Sequence, residues 1–171
     1  MGKETSYLRL TIEEDAMQVQ ELSVPGTAHS LAGLEKAANL EILEAQPSAD
    51  LDLSPISSLK KLTDLDLSYS EVKDLSTLKD WPLEMLVLSD TAVEDISALE
   101  GMPLQLLNLS NTPVTDLSPL SRMESLEELY LDGSAVTDLS SLAKTPIRTL
   151  FADDLKVKDW KLVEHACTVL N

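Results

Sequence analysis

Apolar residues recur along this chain as the motif L-x-x-L-x-L, in which the x places are mostly polar. Seven copies start 21 or 22 residues apart, at Val19, Leu40, Leu62, Leu83, Leu104, Leu126 and Ile147. The second half of each motif alternates with a period of two, which predicts a short strand whose leucines point inward. The pattern therefore predicts seven equivalent strands.

A second apolar segment follows most of the strands. From the third unit on it reads apolar-x-Asp-apolar, at 72–75, 93–96, 114–117, 136–139 and 157–160. In one unit the predicted inward positions are Leu83, Leu86, Leu88, Val93, Ile96 and Leu99, and the same offsets recur one unit later. A single unit cannot bury this face alone, so the units must stack into one continuous core.

Short return segments, such as "DLSTL" and "DLSPL", connect the strands. Their length predicts capped 3₁₀ turns or single α turns, and Pro55 and Pro119 fit just inside such a turn. An Asp column accompanies these segments: Asp52, Asp74, Asp95, Asp116, Asp138 and Asp159. A calcium ladder would need a shorter, Gly-rich repeat, so we interpret each Asp as an acceptor for backbone N–H groups of its own turn.

A fixed period with this leucine spacing is the signature of a leucine-rich repeat solenoid. The predicted fold class is an α/β solenoid, a right-handed horseshoe with a parallel concave sheet and short 3₁₀ or α turns on the convex side. A single domain is expected over 1–171, with an N-terminal cap at 1–18 and repeats at 19–158. A C-terminal capping helix is expected over 159–171, because Trp160, Val163, Cys167 and Leu170 would share one helical face.

The run "LQLLNLSNTPVTDLSPL" at 104–120 resembles the short repeats of bacterial internalin-like proteins and of the phosphatase-1 regulatory subunit type. Those families usually place Asn after the strand, whereas this chain has a hydroxyl residue: Thr27, Ser48, Ser70, Thr91, Thr112 and Ser134. Hydroxyl groups can satisfy the same buried backbone groups. The resemblance implies that the concave face binds a partner.

Charge and cysteine content narrow the possible partners and compartments. Thirty acidic and thirteen basic residues give a net charge of −17, which disfavours nucleic acid. No apolar run is long enough to span a membrane, and the single Cys167 favours a reducing compartment. We expect a cytoplasmic protein, or a secreted or surface protein if a signal sequence has been removed. The start "MGKETS" matches the N-myristoylation pattern, although one acyl chain anchors only marginally.

Residues for catalysis are scarce. His29 and His165 lie near opposite ends of the repeats, and His165 and Cys167 would occupy different faces of the predicted helix. No nucleophile motif frames a serine, no Cys/His set matches a zinc site, and five glycines form no phosphate loop. The sequence therefore predicts a protein that is not an enzyme and that has no metal and no cofactor.

The x places of the motif are free to carry function, because the fold does not dictate them. The predicted concave face is acidic. The lysines of the chain are expected in the return segments instead. Amid the acids, an apolar ridge is expected to be exposed: Met85, Val87, Leu106, Tyr130 and Phe151. Apolar and aromatic groups inside a charged rim are typical of an interface. The other predicted partner-binding residues are Asp64, Asp66, Tyr69, Asp90, Asn108, Glu128, Asp132, Arg148 and Asp154.

These features predict a non-enzymatic module that binds a basic protein, with no nucleic acid and no membrane as partners. By analogy, such a protein could inhibit a toxin such as a nuclease, or confer immunity to it. Two alternatives stay open at this stage. The chain could be a regulatory or targeting repeat domain of a larger enzyme or kinase, or it could be a bacterial surface adhesin.

Overall fold

Short strands and single 3₁₀ turns alternate along the chain. The computed structural model describes residues 18–24, 26, 30–46, 52–157, 160–163 and 168–170. Strands β1–β8 are Glu21–Val24, Ile42–Ala45, Asp64–Asp66, Met85–Val87, Leu106–Asn108, Glu128–Tyr130, Thr149–Phe151 and Thr168–Leu170. The 3₁₀ helices η1–η7 are Leu34–Lys36, Ser54–Ile56, Ser76–Leu78, Ser97–Leu99, Ser118–Leu120, Ser140–Leu142 and Trp160–Leu162. No helix within these ranges is long and apolar enough to cross a membrane.

All eight strands pair in parallel within one sheet, in sequence order. Each of β1–β7 begins at the third place of its motif, and the register sets equivalent places side by side. Leu86, for example, lies beside Leu107, which in turn lies beside Leu129. The predicted solenoid, with one parallel sheet and short 3₁₀ turns, is confirmed.

One continuous apolar core runs through the stacked units. The six predicted inward positions of the unit that starts at Leu83 are all at most 1% exposed. The equivalent leucines of the next unit, Leu104, Leu107 and Leu109, are fully buried. Because each unit closes the open side of the one before it, the core is shared between neighbouring units.

The Asp column holds the 3₁₀ turns. In five units the backbone N–H of the first helical residue donates to Oδ1 of the Asp two residues earlier, at 2.7–2.8 Å. Pro55 and Pro119 lie within the first turn of their helices, where a missing N–H costs nothing. The interpretation of the column as turn acceptors is confirmed for these five units, while Asp159 lies outside the described residues.

These hydrogen bonds favour the ionised carboxylates. The backbone N–H bonds from Ser76, Ser97 and Ser140 are the main cause of the lowered pKa of Asp74, Asp95 and Asp138, and the serine hydroxyl groups add to it. The pKa of Asp52 is also lowered, mainly by the hydroxyl of Ser54. The turns are therefore held in part by charge-assisted hydrogen bonds.

Hydroxyl groups take the place of Asn after the strands. The side chains of Ser70, Thr91 and Thr112 are buried and donate to the backbone carbonyl three residues earlier, at 2.6–2.7 Å. At Ser134 the hydroxyl is buried without a hydrogen-bond partner, the one such side-chain atom found in the described ranges. Thr27 and Ser48 lie outside those ranges. The predicted role of the hydroxyl groups is confirmed at three positions.

The C-terminal end differs from the expectation. The predicted capping helix over 159–171 is wrong, because the structure has the short η7 and then β8, which pairs with β7. The helical spacing of a few apolar residues is outweighed by the edge of β7, whose backbone groups need partners. Thr168 and Val169 are β-branched and suit a strand. Residues 164–167, and residues 1–17 of the predicted N-terminal cap at 1–18, lie outside the described residues.

Candidate functional site

The outer face of the sheet is formed by the third and fifth places of the motifs, and we call it the sheet face. In each of β3–β7 the central leucine is buried and its two neighbours are half-buried. The alternation follows from strand geometry, because successive side chains point to opposite faces. Nine predicted site residues lie here: Asp64, Asp66, Met85, Val87, Leu106, Asn108, Glu128, Tyr130 and Phe151.

The register gathers these residues into two rows. The third places form the row Asp64, Met85, Leu106, Glu128 and Thr149. The fifth places form the row Asp66, Val87, Asn108, Tyr130 and Phe151. Neighbouring members are one strand spacing apart, about 4.8 Å. The predicted ridge therefore falls into two apolar groups, which Asn108 and Glu128 separate within the rows: Met85, Val87 and Leu106 on β4 and β5, and Tyr130 and Phe151 on β6 and β7.

Two rings of the ridge stack on each other. The ring centroids of Tyr130 and Phe151 are 4.3 Å apart and the ring planes differ by 6°. The Tyr130 hydroxyl donates to Glu128 Oε2 at 3.2 Å. Partial burial, the charge of Glu128 and this hydrogen bond all raise the pKa of Tyr130. The stack is a preformed apolar platform with an acidic neighbour.

The ridge is less exposed than the sequence predicts. All five of its side chains are half-buried, because side chains that stand one strand spacing apart cover one another's flanks. Among the described residues, the large apolar residue that is exposed is Tyr69, at 67%. The expectation of an exposed ridge is thus corrected to a half-buried platform, with the most exposed ring located elsewhere.

Tyr69 belongs to a column of residues two places after the strand motifs, which we call the post-strand column. Its described members from β3 onward have positive φ angles of 55–66°: Tyr69, Asp90, Asn111, Gly133 and Asp154. Gly, Asn and Asp adopt this left-handed conformation readily, but a bulky residue rarely does. Asn111 Nδ2 donates to Asp90 Oδ1 at 3.1 Å, which joins two members of the column.

Several predicted site residues also accept hydrogen bonds from backbone N–H groups. Asp66 Oδ1 accepts the N–H of Ser68 at 2.8 Å, and Asn108 Oδ1 accepts the N–H of Ser110 at 2.9 Å. Asp132 Oδ1 accepts the N–H of Asp153 in the next unit at 2.6 Å. Sequence reasoning missed this role, although the spacing Asx-x-Ser in 66–68 and 108–110 is the usual signal of such a turn.

Arg148 lies at a second place of the motif, beside the sheet face, and forms an ion pair there. Its Nη1 is 3.2 Å from Glu127 Oε2 on the neighbouring unit. Gln105 and Glu84 also lie at second places of their motifs, and Gln105 donates to Glu84 at 3.0 Å. Side chains at second places thus pair between neighbouring units. Arg148 is therefore partnered within the chain, which makes it a weaker candidate for partner binding than the sheet face.

Charge is distributed unevenly around the solenoid. The third and fifth places of β1–β7 carry five carboxylates and no lysine or arginine: Glu21, Glu44, Asp64, Asp66 and Glu128. From η1 to β7, the segments between a 3₁₀ helix and the next strand hold equal numbers of bases and acids and are therefore close to neutral: Lys60, Lys61, Lys79, Arg122, Lys144 and Arg148 against Glu41, Asp80, Glu84, Glu100, Glu124 and Glu127. The Asp column adds further acids on the side of the solenoid that carries the 3₁₀ helices, which we call the turn side. The expectation that the acidity is sorted onto one face is therefore too simple.

Sites for small ligands are poorly developed on the described surface. A cleft of about 350 Å³ on the turn side is lined by residues of both charges, including Lys73, Asp74, Lys79 and Asp95. No group of three His, Cys, Asp or Glu side chains in the described ranges could hold a metal ion. His29, His165 and Cys167 lie outside those ranges, so the absence of catalysis stays a prediction.

Comparison with known proteins supports the assignment of the repeats. Residues 104–144 match the family model described as leucine-rich repeats, in two copies. No curated protein matches the chain. Among solved structures, the internalin inlF of Listeria monocytogenes is similar with a TM-score of 0.84 and 30% identity, over 92% of this chain and 48% of that one.

Two further structures share the fold. Internalin C2 of the same organism has a TM-score of 0.72 and 25% identity, over 92% of this chain and 84% of its own. A leucine-rich repeat protein of Leptospira interrogans has a TM-score of 0.63 and 18% identity, over 94% of this chain and 51% of its own, which shows the fold alone. Our chain spans about half the length of inlF. Its repeats, the family model and these similarities show that the chain is built of short leucine-rich repeats and is similar to the internalins.

Proposed function

We propose that this protein binds a basic protein through its sheet face, with the stacked rings of Tyr130 and Phe151 at the centre of the contact. The leucine-rich repeats and the internalin-like neighbours support a protein–protein interaction module, and such proteins are typically not enzymes. The observation that carries the finer proposal is the aromatic stack, set on a face whose charged residues are all carboxylates.

The two kinds of group act at different stages of binding. Aromatic side chains near the centre of an interface dominate its free energy, because they bury a large area with few rotatable bonds. Carboxylates around them speed the approach of a basic partner and select its orientation. A basic active site, such as that of a toxin nuclease, would suit this face and would give the protein an inhibitor or immunity role.

Two alternatives use the same face in another setting. The chain could be a targeting or regulatory repeat domain of a larger enzyme or kinase, or it could be a surface adhesin. All three predict a protein partner. The identity of the partner, captured on the immobilised chain from an extract of the source organism or its host, distinguishes between them.

The central test removes both rings with the double change Tyr130→Ala and Phe151→Ala. The dissociation constant for the purified partner should rise at least about 30-fold, mainly through faster dissociation, because the loss of a central aromatic anchor costs about 2 kcal/mol or more. Surface plasmon resonance measures both rate constants. An unchanged dissociation constant in the folded double variant would show that the stack is not the contact.

A second variant tests the charge. Glu44 is exposed at a fifth place, so Glu44→Lys changes the charge of the sheet face. Asp66 is less suitable for this test because its side chain also accepts the N–H of Ser68. This change should slow association and make the association rate less sensitive to salt, with little effect on dissociation. The control is Lys73→Glu on the turn side, which changes the net charge in the opposite direction. It should leave the association and dissociation rates nearly unchanged. Equal effects from the two variants would contradict a contact at the sheet face.

A further inference from the structure

We propose that Tyr69 and Asp90 form a subsite that recognises an arginine side chain of the protein partner. The subsite lies where β3 and β4 end, at the margin of the sheet face. This inference rests on the proposed function, because it names the chemical group that the basic partner presents at one place. It adds a selectivity for arginine over lysine that a uniformly acidic face would lack.

The fold does not account for Tyr69. Its side chain is 67% exposed, so the ring gains little from burial in the core. Its φ of 59° is left-handed, a conformation in which the other described members of the column are Gly, Asn or Asp. The Tyr69 N–H donates to the Ser89 carbonyl of the next unit at 3.0 Å, which fixes the backbone beneath the ring. Two thirds of the residue is in contact with solvent, so packing alone does not explain a ring at this position.

Asp90 is the equivalent residue of the next unit, about one strand spacing away. Its N–H donates to the Ser110 carbonyl at 3.0 Å, and its Oδ1 accepts a hydrogen bond from Asn111 Nδ2 at 3.1 Å. The carboxylate is thus oriented from one side while Oδ2 keeps its capacity as an acceptor. Tyr69 and Asp90 thus occupy equivalent positions of neighbouring units with nearly equal φ angles of 59° and 58°, from which we infer that the exposed ring lies next to the oriented carboxylate.

This pair suits a guanidinium group better than an ammonium group. The guanidinium is planar, weakly hydrated and able to stack on a ring while its N–H groups donate to a carboxylate. The lysine ammonium is a compact and strongly hydrated charge, so it loses more on leaving water. Asp66, the last residue of β3 and three residues before Tyr69, adds a second negative charge nearby. The predicted ligand is an arginine side chain that projects from a basic surface.

The test compares two end-blocked peptides of equal charge, hexa-arginine and hexa-lysine, at low and fixed ionic strength. Isothermal titration calorimetry gives the dissociation constants. The protein should bind hexa-arginine more tightly than hexa-lysine, by about 2- to 30-fold, the range expected for a cation–π contact. Tyr69→Asn should abolish most of this ratio while the affinity for hexa-lysine stays the same, because the net charge is unchanged.

The variants are chosen to keep the fold. Asn is the residue that the chain itself uses at the equivalent position 111, so Tyr69→Asn should fold as the parent does, which circular dichroism checks. Asp90→Asn should lower the arginine-to-lysine ratio. Glu94→Gln removes one charge from an exposed turn-side position and should leave the ratio unchanged.

The outcomes separate this subsite from the proposed function. If both peptides bind and the ratio is the same in the parent and in Tyr69→Asn, the arginine subsite is wrong and the acidic face stands. If neither peptide binds the parent at low salt, both the subsite and the basic partner are wrong. A ratio that falls only in Tyr69→Asn and Asp90→Asn supports the subsite.

Discussion

At the scale of the residue, the post-strand column shows how one backbone conformation selects side chains. Glycine lacks a Cβ, and the short polar side chains of Asn and Asp tolerate a positive φ. Tyr69 adopts the same conformation as Asp90 and Asn111 despite its ring. Backbone strain of this kind persists only where the surrounding structure enforces it, and it is commonly found at sites of function.

Tyr69→Asn should therefore stabilise the protein while it weakens binding. The free energy of unfolding should rise by about 1 kcal/mol, because Asn relieves a left-handed conformation that a bulky residue adopts at a cost. Thermal and urea denaturation measure this change. The reciprocal change Asn111→Tyr should lower stability, since it adds strain and removes the hydrogen bond to Asp90. A less stable Tyr69→Asn variant would show that the ring contributes to the fold.

At the scale of the element, the repeated pattern made seven strands and the turns between them predictable. Six inward positions per unit leave few alternatives, because any other register would expose leucines such as Leu86 or Leu107. The eighth strand was not predictable in this way. Its residues pair with β7 at a spacing of 19, shorter than the 21 or 22 of the motif, and local helical spacing gave the wrong element.

The candidate site was predictable in position but not in exposure. Equal places in the motif put Tyr130 beside Phe151, so their stacking follows from the register. How much of each ring is covered depends on neighbours in three dimensions, which a single sequence does not give. The same limit explains Arg148, whose ion pair to Glu127 depends on a residue 21 positions away. Tyr69 could be noticed from its column, where it replaces the usual small polar residue.

The turns should make stability depend on pH. The pKa values of Asp74, Asp95 and Asp138 are lower in the folded chain than their ordinary value of 3.8, so the ionised form stabilises the fold. This contribution is present above about pH 4 and is lost as the pH falls through the lowered pKa values. The free energy of unfolding, measured by urea titration at a series of pH values, should therefore decrease in acid.

A triple variant isolates this effect. With Asp74, Asp95 and Asp138 changed to Ala, the decrease of stability between about pH 5 and pH 2 should be shallower, because the carboxylates that release protons on folding are gone. A variant with Glu94→Ala, an exposed carboxylate in the same segment as Asp95, is the matched control and should keep the parent slope. Identical slopes in the parent and the triple variant would contradict the role of the Asp column.

At the scale of the whole molecule, stability comes from contacts between neighbouring units, because each unit stacks only on the next. Leu107 is fully buried in the middle of the stack, between Leu86 and Leu129. Leu107→Ala should lower the free energy of unfolding by about 2–5 kcal/mol through the cavity that it leaves. Leu22 in β1 is only half-buried, so Leu22→Ala is the matched control and should cost less. Equal losses would contradict the view that the central units carry the core.

The distribution of charge is also a property of the whole molecule. The third and fifth places on the sheet face carry acids and no lysine or arginine, whereas the segments before the strands hold acids and bases in equal number. A basic partner is therefore attracted more strongly to the sheet face than to the nearly neutral edge formed by those segments, so its approach is directed as well as accelerated. The margin near Tyr69 and Asp90 lies at the opposite ends of the strands from that edge.

The in-register stacking of equivalent units has a consequence for how such a protein can change in evolution. The unit that starts at Leu83 and the one that starts at Leu104 share their inward leucines and their turn residues. A copy of either unit, inserted between the two, would therefore make the same contacts with its neighbours as the units already make with each other. Each inserted copy would lengthen the sheet by one strand spacing, about 4.8 Å, and would add one residue to each row. Gene duplication within the repeats therefore offers a way to match the length of the binding surface to a partner in discrete steps, while the side chains already in contact keep their places.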